Sequence, residues 1–320
     1  MPIPSPKENY RLLAKAHLFP FQAQPWWLDL VCGPEGWDAA VSLDEDGQAI
    51  GAMPFGKLGW KGLPLIRMPL FTAFHHIWLR DLGSDRSVRQ YHWEYKTLAE
   101  LVSRIPAKWV VDQLYAPPFS NGLPFYWADF RIQTRYTYQL QTQLPAEEMW
   151  KEMEAATRNQ IRKAKSQVQV QRDGSQEQLY ELLRLLYAKQ GKRVPFALAE
   201  LQKIDAELSS REMRTIYLAT DEQGRAHAAC YVVWDQDRAY GLLSGAHPEF
   251  RKSGALYLVL WRALKDAAKR GALFDFEGSM LPRIERVFRS FGAKRVPYLR
   301  MVRYKYRWLE ALAVLAGKNR

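Results

Sequence analysis

Leu273-Phe-Asp-Phe-Glu-Gly-Ser279, followed by Ile284-Glu-Arg-Val-Phe-Arg-Ser-Phe-Gly-Ala293, is the stretch whose reading decides the fold. The first part has the apolar content of a buried strand and ends on charged and small residues. The second has the spacing of a short helix stopped by a glycine. Open α/β folds place ligands where a strand's C-terminal end meets a new helix, so Asp275, Glu277 and Ser279 fall at a ligand-binding position.

Working outward, the chain repeats itself. In the N-terminal half, Trp37–Leu43 reads as a strand, Asp44 to Gly47 as a turn and Ala49–Phe55 as the returning strand. In the C-terminal half, Thr215–Ala219, the turn Asp221 to Gly224 and Ala226–Trp234 do the same. Asp- and Gly-containing turns between apolar runs are hairpin signals. Each hairpin is followed by a helix and a buried strand: Val88–Arg104 then Trp109–Tyr115, and Ala255–Arg270 then Leu273–Phe276. The pairs Gly47/Gly224 and Asp112/Asp275 recur at similar offsets. The expectation is two copies of one α/β unit, divided as 1–144 and 145–320. Between the hairpins, Pro145–Gln167 reads as one helix with Met149, Met153, Ala156 and Ala164 on its apolar face. Gln176–Lys189, with Leu179, Leu182, Leu183 and Leu186, and Ala197–Leu208 read as two more helices.

With 320 residues, 48% hydrophobic and 25% charged, the chain has the composition of a folded globular protein. Cys32 and Cys230 form no disulfide framework and read as small core residues in a reducing compartment. No Cys/His cluster has metal-ligand spacing, so no metal is expected. Met1 to Asn9 lacks a signal-peptide core and no run of about 18 apolar residues occurs, so a cytoplasmic location is expected. Trp308–Leu315 is apolar and basic-flanked. It reads first as a terminal helix docked on the core, and second as peripheral contact with the inner membrane surface. A net charge of +12 and a pI near 9.6 favour partners with phosphate or other anionic groups.

Three segments are candidates for chemistry. Thr157-Arg-Asn-Gln-Ile-Arg-Lys-Ala164 places Arg158 and Arg162 one turn apart, as an anion-binding fork or as a solvated face. His247-Pro-Glu-Phe-Arg-Lys-Ser-Gly-Ala255 runs into an amphipathic helix; a glycine-containing basic turn there suits a pyrophosphate, or is a plain helix start. Asp275, Glu277, His247 and Tyr231 are the groups able to handle a proton. No nucleophile elbow, Walker A loop or His-Glu-x-x-His sequence occurs.

Several segments in order resemble the FemABX-type aminoacyltransferases, whose fold is a pair of GNAT-like domains. They are Gln24-Pro-Trp-Trp-Leu28, Gly51-Ala-Met-Pro-Phe55, Met68-Pro-Leu-Phe-Thr72, Thr157 to Ala164, Phe274-Asp-Phe-Glu-Gly-Ser279 and Phe288-Arg-Ser-Phe-Gly-Ala293. The resemblance implies an α/β fold of two tandem GNAT-like domains, mixed sheets flanked by helices. It implies transfer of an acyl or aminoacyl group to an amine of a peptidoglycan- or polysaccharide-type envelope precursor. Among the groups read above as able to handle a proton, Asp275 and Glu277 are the expected catalytic carboxylates. Arg158, Asn159, Arg162, Tyr231, Ser244 and His247 would bind the phosphate-bearing acceptor. Arg251, Lys252, Ser253, Gly254 and Ala255 would bind the donor. No tightly bound cofactor and no DNA partner are implied. The donor is aminoacyl-tRNA or acyl-CoA: the chain lacks the coiled-coil hairpin that some family members use for tRNA. Phe288 stands where GNAT enzymes often carry a thiolate-protonating tyrosine, and phenylalanine has no proton to give. A CoA-dependent N-acetyltransferase and a non-catalytic basic binding module for RNA or glycolipid are the alternative readings.

Overall fold

The computed structural model describes residues 4–59, 64–83, 86–108 and 110–315. Met1 to Ile3 and Trp109, read above as part of the N-terminal stretch and as a strand residue, lie outside them. The chain forms two compact units, Met1–Arg135 with Pro297–Arg320, and Tyr136–Val296.

In the first unit, α1 (Pro6–Ala16) starts at a capping box, Ser5 with Glu8, and has Pro6 in its first turn. It is followed by α2 (Pro25–Cys32), β1 (Trp37–Leu43), β2 (Ala49–Gly56), β3 (Leu65–Arg67), β4 (Trp78–Leu79), α3 (Ser87–Ser103), β5 (Val110–Tyr115) and α4 (Leu123–Trp127). The expected hairpin is present: β1 pairs antiparallel with β2 from Trp37↔Gly56 to Leu43↔Ala49. Gly47 takes φ +76° in its turn, a conformation that favours glycine. One side of this hairpin buries Tyr10, Trp37 and Val41, the other Met53, Leu98 and Leu101.

β6 (Arg131–Leu140) leads into the second unit. There the order is α5 (Ala146–Glu152), α6 (Ala155–Lys165), β7 (Gln169–Gln171), α7 (Gln176–Ala188), α8 (Leu198–Ser210), β8 (Arg214–Thr220), β9 (Ala226–Asp235), β10 (Arg238–Ala246), α9 (Ala255–Arg270), β11 (Leu273–Asp275) and α10 (Pro282–Ser290). The strands lie in the order β6-β11-β10-β9-β8-β7, with only β10 and β11 parallel. β9 is buried from His227 to Trp234, because α9 covers one face of the sheet and α7 the other. α9 contributes Leu258, Val259, Leu260 and Leu264, each worth roughly 1.5–3 kcal/mol on burial. The last elements are β12 (Lys294–Tyr304) and α11 (Arg307–Leu315).

Four expectations need correction. The segment from residue 297 onward was assigned to the second half. It packs instead with the first unit, because β12 pairs antiparallel with β5 from Leu299↔Tyr115 to Tyr304↔Val110. The two halves are also not identical in pairing. In the second unit the hairpin shares its sheet with β11, whereas β1 and β2 pair with β4 and β5 pairs with β3 and β12. Pro145–Gln167 is two helices, not one: Met153 is extended (φ −68°, ψ 148°) and resets the helical phase. Thr157, Ile161 and Ala164 therefore face the core, and Ala156 is exposed. Finally, α11 contains no buried residue, so the docked terminal helix is docked at most by half.

Cys230 is buried and Cys32 half-buried, and burial pushes both thiols up to about 12. His75 is fully buried, and neither ring nitrogen has a hydrogen-bond partner among the described residues. Burial drives its pKa from 6.5 down to about 3. The unfolded chain therefore takes up this proton below pH 6.5 while the folded chain stays neutral down to about 3, and stability falls as pH drops through that window. His75→Leu is expected to gain roughly 1–2 kcal/mol in urea melts by removing an unsatisfied polar group. It should also flatten the acid-side loss; an unchanged pH profile would count against this assignment.

Candidate functional site

The site is built on the connection from β10 to α9. β10 and β11 pair in parallel only through Arg238↔Leu273, Ala239↔Phe274 and Tyr240↔Asp275. β11 ends there, while β10 runs on to Ala246 without a β11 partner. A register irregularity between Tyr240 and Leu243 on the β9 side falls at the same place. Ser244 sits half-buried on this extended segment.

The strand then passes through His247 to a 3-10 turn, Arg251–Ser253, and to Gly254, the left-handed N-cap of α9 (φ +76°). Arg251 and Lys252 are exposed, whereas Ser253 is buried and its Oγ accepts the Ala255 N–H (3.3 Å). A Cβ at Gly254 would stand 2.5 Å from the Gln160 carbonyl oxygen. The glycine is thus needed for the approach of α6 to this turn, independently of any ligand.

On the α7 side of the same strand end lies a groove of about 520 Å³. Its apolar wall is Leu182, Leu185, Ala226 and Phe250; His247, Arg225, Glu177, Glu181 and Glu249 supply polar groups. The Phe250 ring stacks with His247 (4.5 Å, 27°) and His227 (4.3 Å, 17°), and the Arg225 guanidinium lies 5.0 Å from its centre. Asp221 fixes this cluster, accepting from Arg225 Nε (2.7 Å) and lying 3.1 Å from His227 Nε2. Burial would raise its carboxyl, but hydrogen bonds from the Arg225 backbone and side chain and from His227 bring it down to about 2. The Glu249 N–H donates to His247 Nδ1 (3.2 Å). In a neutral ring that leaves the proton on Nε2, so His247 offers a donor rather than a base.

The other residues named from sequence fall elsewhere. Asp275 is 2% exposed. Its carboxylate accepts from Thr137 Oγ1 (2.5 Å), Gln139 Nε2 (2.8 Å) and the Glu277 N–H (2.8 Å). Burial pushes its pKa above the ordinary carboxylate value and these bonds oppose the rise. With its oxygens so occupied, it holds β11 to β6 and shapes the turn that follows; no solvent-borne substrate reaches it. Glu277 is half-buried in that turn in the left-handed region (φ +56°), followed by Gly278 at +72°. A Cβ on Gly278 would collide with the Tyr136 carbonyl. Glu277, a non-glycine residue in the left-handed region, is strained backbone, a feature common at functional sites.

Tyr231 is a core residue whose hydroxyl donates to Asp205 Oδ1 (3.0 Å); burial first, and Asp205 second, push its pKa well up. Arg158 does not form an anion fork. Its Nη1 donates to the carbonyls of Trp150 (3.4 Å), Lys151 (3.1 Å) and Met153, capping the end of α5. Arg162 donates to Asn159 Oδ1 (2.9 Å) and lies over the Trp150 ring (5.5 Å). Phe288 is buried against Phe276 (4.7 Å, stacked) and Tyr138. The sequence reading missed Phe250, His227 and Asp221. The β9–β10 register, with Ala228↔Ala246, brings His227 beside His247.

Residues 151–280 match the model of the Acetyltransferase (GNAT) domain, and they lie wholly within the second unit. No curated protein matches the sequence. The fold is similar to that of FemX, 14% identical over 93% of this chain and 96% of that one, with a TM-score of 0.62. It is also similar to a tandem GNAT protein from the clavulanic acid biosynthesis pathway, 12% identical over 93% of each chain (TM-score 0.52). A third likeness is to the C-terminal domain of a putative lysylphosphatidylglycerol synthetase from Agrobacterium fabrum, 13% identical over 97% of this chain and 95% of that one (TM-score 0.51). The fold is that of tandem GNAT-like domains, as the sequence implied. The match to the GNAT acetyltransferase domain belongs to the second unit, and the likenesses to solved structures show the tandem fold.

Asp275→Asn is expected to destabilise the protein by about 1–3 kcal/mol in denaturant melts, since an amide turns one acceptor into a donor facing Thr137 or Gln139. A wild-type melting curve would show that this network is dispensable.

Proposed function

We propose that the second unit transfers an acyl or aminoacyl group from a phosphate-bearing carrier to an amine of a cell-envelope precursor, at the C-terminal end of β10. The observation that carries this reading is the strand edge from Gly241 to Ala246, unpaired by β11, leading directly to an exposed Arg251-Lys252 pair at the start of α9. Backbone groups of such an edge can align an extended donor arm and polarise its carbonyl. The basic turn suits the carrier's phosphates.

In the reaction, the amine nitrogen bonds to the acyl carbon and the bond from that carbon to the carrier's sulfur or oxygen breaks. The amine loses a proton and the carrier leaves with one. Glu277, held at the mouth of the β10–β11 divergence, takes the amine's proton. His247 Nε2–H and the Phe250 wall hold the acceptor in the groove. Phe288 gives no proton to the leaving group, which takes it from solvent. Holding the two substrates in line supplies much of the rate. The envelope precursor is favoured by the likeness to a domain of a putative lysylphosphatidylglycerol synthetase, whose name contains a phospholipid.

Arg251→Glu/Lys252→Glu is expected to weaken donor binding at least about tenfold in calorimetric titrations with acyl-CoA and with aminoacyl-tRNA, the stronger ligand identifying the carrier. Both side chains are exposed, so the melting temperature should hold. Unchanged affinity for both donors would remove the turn from the site. Glu277→Gln is expected to lower kcat about 100-fold with little change in KM; full activity would exclude it as the base.

A further inference from the structure

The geometry points to α11 as a membrane-surface helix that lays Trp308, Leu312 and Leu315 into an anionic lipid bilayer. These residues follow one another at spacings of four and three and so share one face. They are 52%, 55% and 84% exposed. The opposite face is the docked one: Leu309, Glu310 and Ala313 are half-buried, and Glu310 forms an ion pair with Arg131. An exposed apolar stripe on a helix already held by its other side is not a fraying end.

The surroundings choose the occupant. Tyr306 stacks on Trp308 (6.2 Å, 12°) and the Lys305 ammonium lies over Tyr306 (5.2 Å). Lys305 and Arg307 are exposed beside the stripe. α4 of the same unit also exposes aromatic rings, Tyr126 and Trp127, 64% and 61% exposed. Arg303 reaches the carbonyl at the end of α4, Ala128 O (3.5 Å). The neighbouring acids are engaged: Glu310 with Arg131, and Asp129 electrostatically with Arg303. Trp and Tyr beside Lys and Arg on a shallow apolar face are the composition of a lipid interface. Nine residues cannot span a bilayer, and among the described residues no helix is long and apolar enough to do so. A second copy of the chain would bring the same cations face to face, which argues against self-association as the use of this face.

The test is vesicle co-sedimentation of the full chain, with phosphatidylcholine vesicles with and without phosphatidylglycerol, at low and high salt. Binding is expected to the anionic vesicles and to weaken as salt rises. Trp308→Glu/Leu312→Glu is expected to lower it at least roughly tenfold, with the melting temperature unchanged. If that variant fails to fold, Lys305→Glu/Arg307→Glu reads the electrostatic part alone. Wild-type protein that stays in the supernatant with every vesicle, or equal binding by the folded variants, would overturn the assignment. So would a concentration-dependent dimer that the double variant abolishes.

Discussion

The second unit depends on a buried carboxylate. Asp275 sits where β11 stops, and its hydrogen bonds with Thr137, Gln139 and the Glu277 N–H tie β6 and the turn after β11 to one point. Desolvating that charge is costly, and the donors offset the cost. Once the point is fixed, the chain must turn sharply through Glu277 and Gly278, and β11 cannot follow β10 further. The opening beside β10 is therefore a consequence of where β11 is forced to end. The basic turn of α9 and the groove at His247 both lie at the strand end that this leaves open.

Much of the fold was legible because it is carried by local signals. Hairpins announce themselves by Asp and Gly at turns. β1 begins and ends at the expected residues, and α7, α8 and α9 follow from leucine spacing within a residue or two. The break between α5 and α6 was not legible. No proline or glycine marks it, and Arg158 reaches back to cap the α5 carbonyls that it leaves open. The fate of residues 297–315 was hidden for another reason: strand pairing with β5 is a long-range choice that periodicity does not encode.

The candidate site was half legible. Ser244, His247 and Arg251 to Ala255 lie together along the β10–α9 connection because one run of sequence contains them all. Those that needed tertiary knowledge went astray. Arg158 was read as a ligand-binding fork because helical spacing reports neighbours on a helix, not what lies beyond its start. Asp275 was read as catalytic because a carboxylate at a strand end looks the same in sequence whether it faces solvent or Thr137. The Phe250 stack was missed because Phe250 meets its partners only through strand register.

Gly254 carries a consequence for how such a protein diverges. Its missing side chain accommodates the backbone of Gln160, so the turn and α6 are geometrically locked together. A lineage could not enlarge this residue without moving a whole helix. Arg251 and Lys252, exposed on the same turn, carry no such obligation. Selection can retune the charge there while the glycine stays in place, separating the evolvable part of the turn from its fixed part.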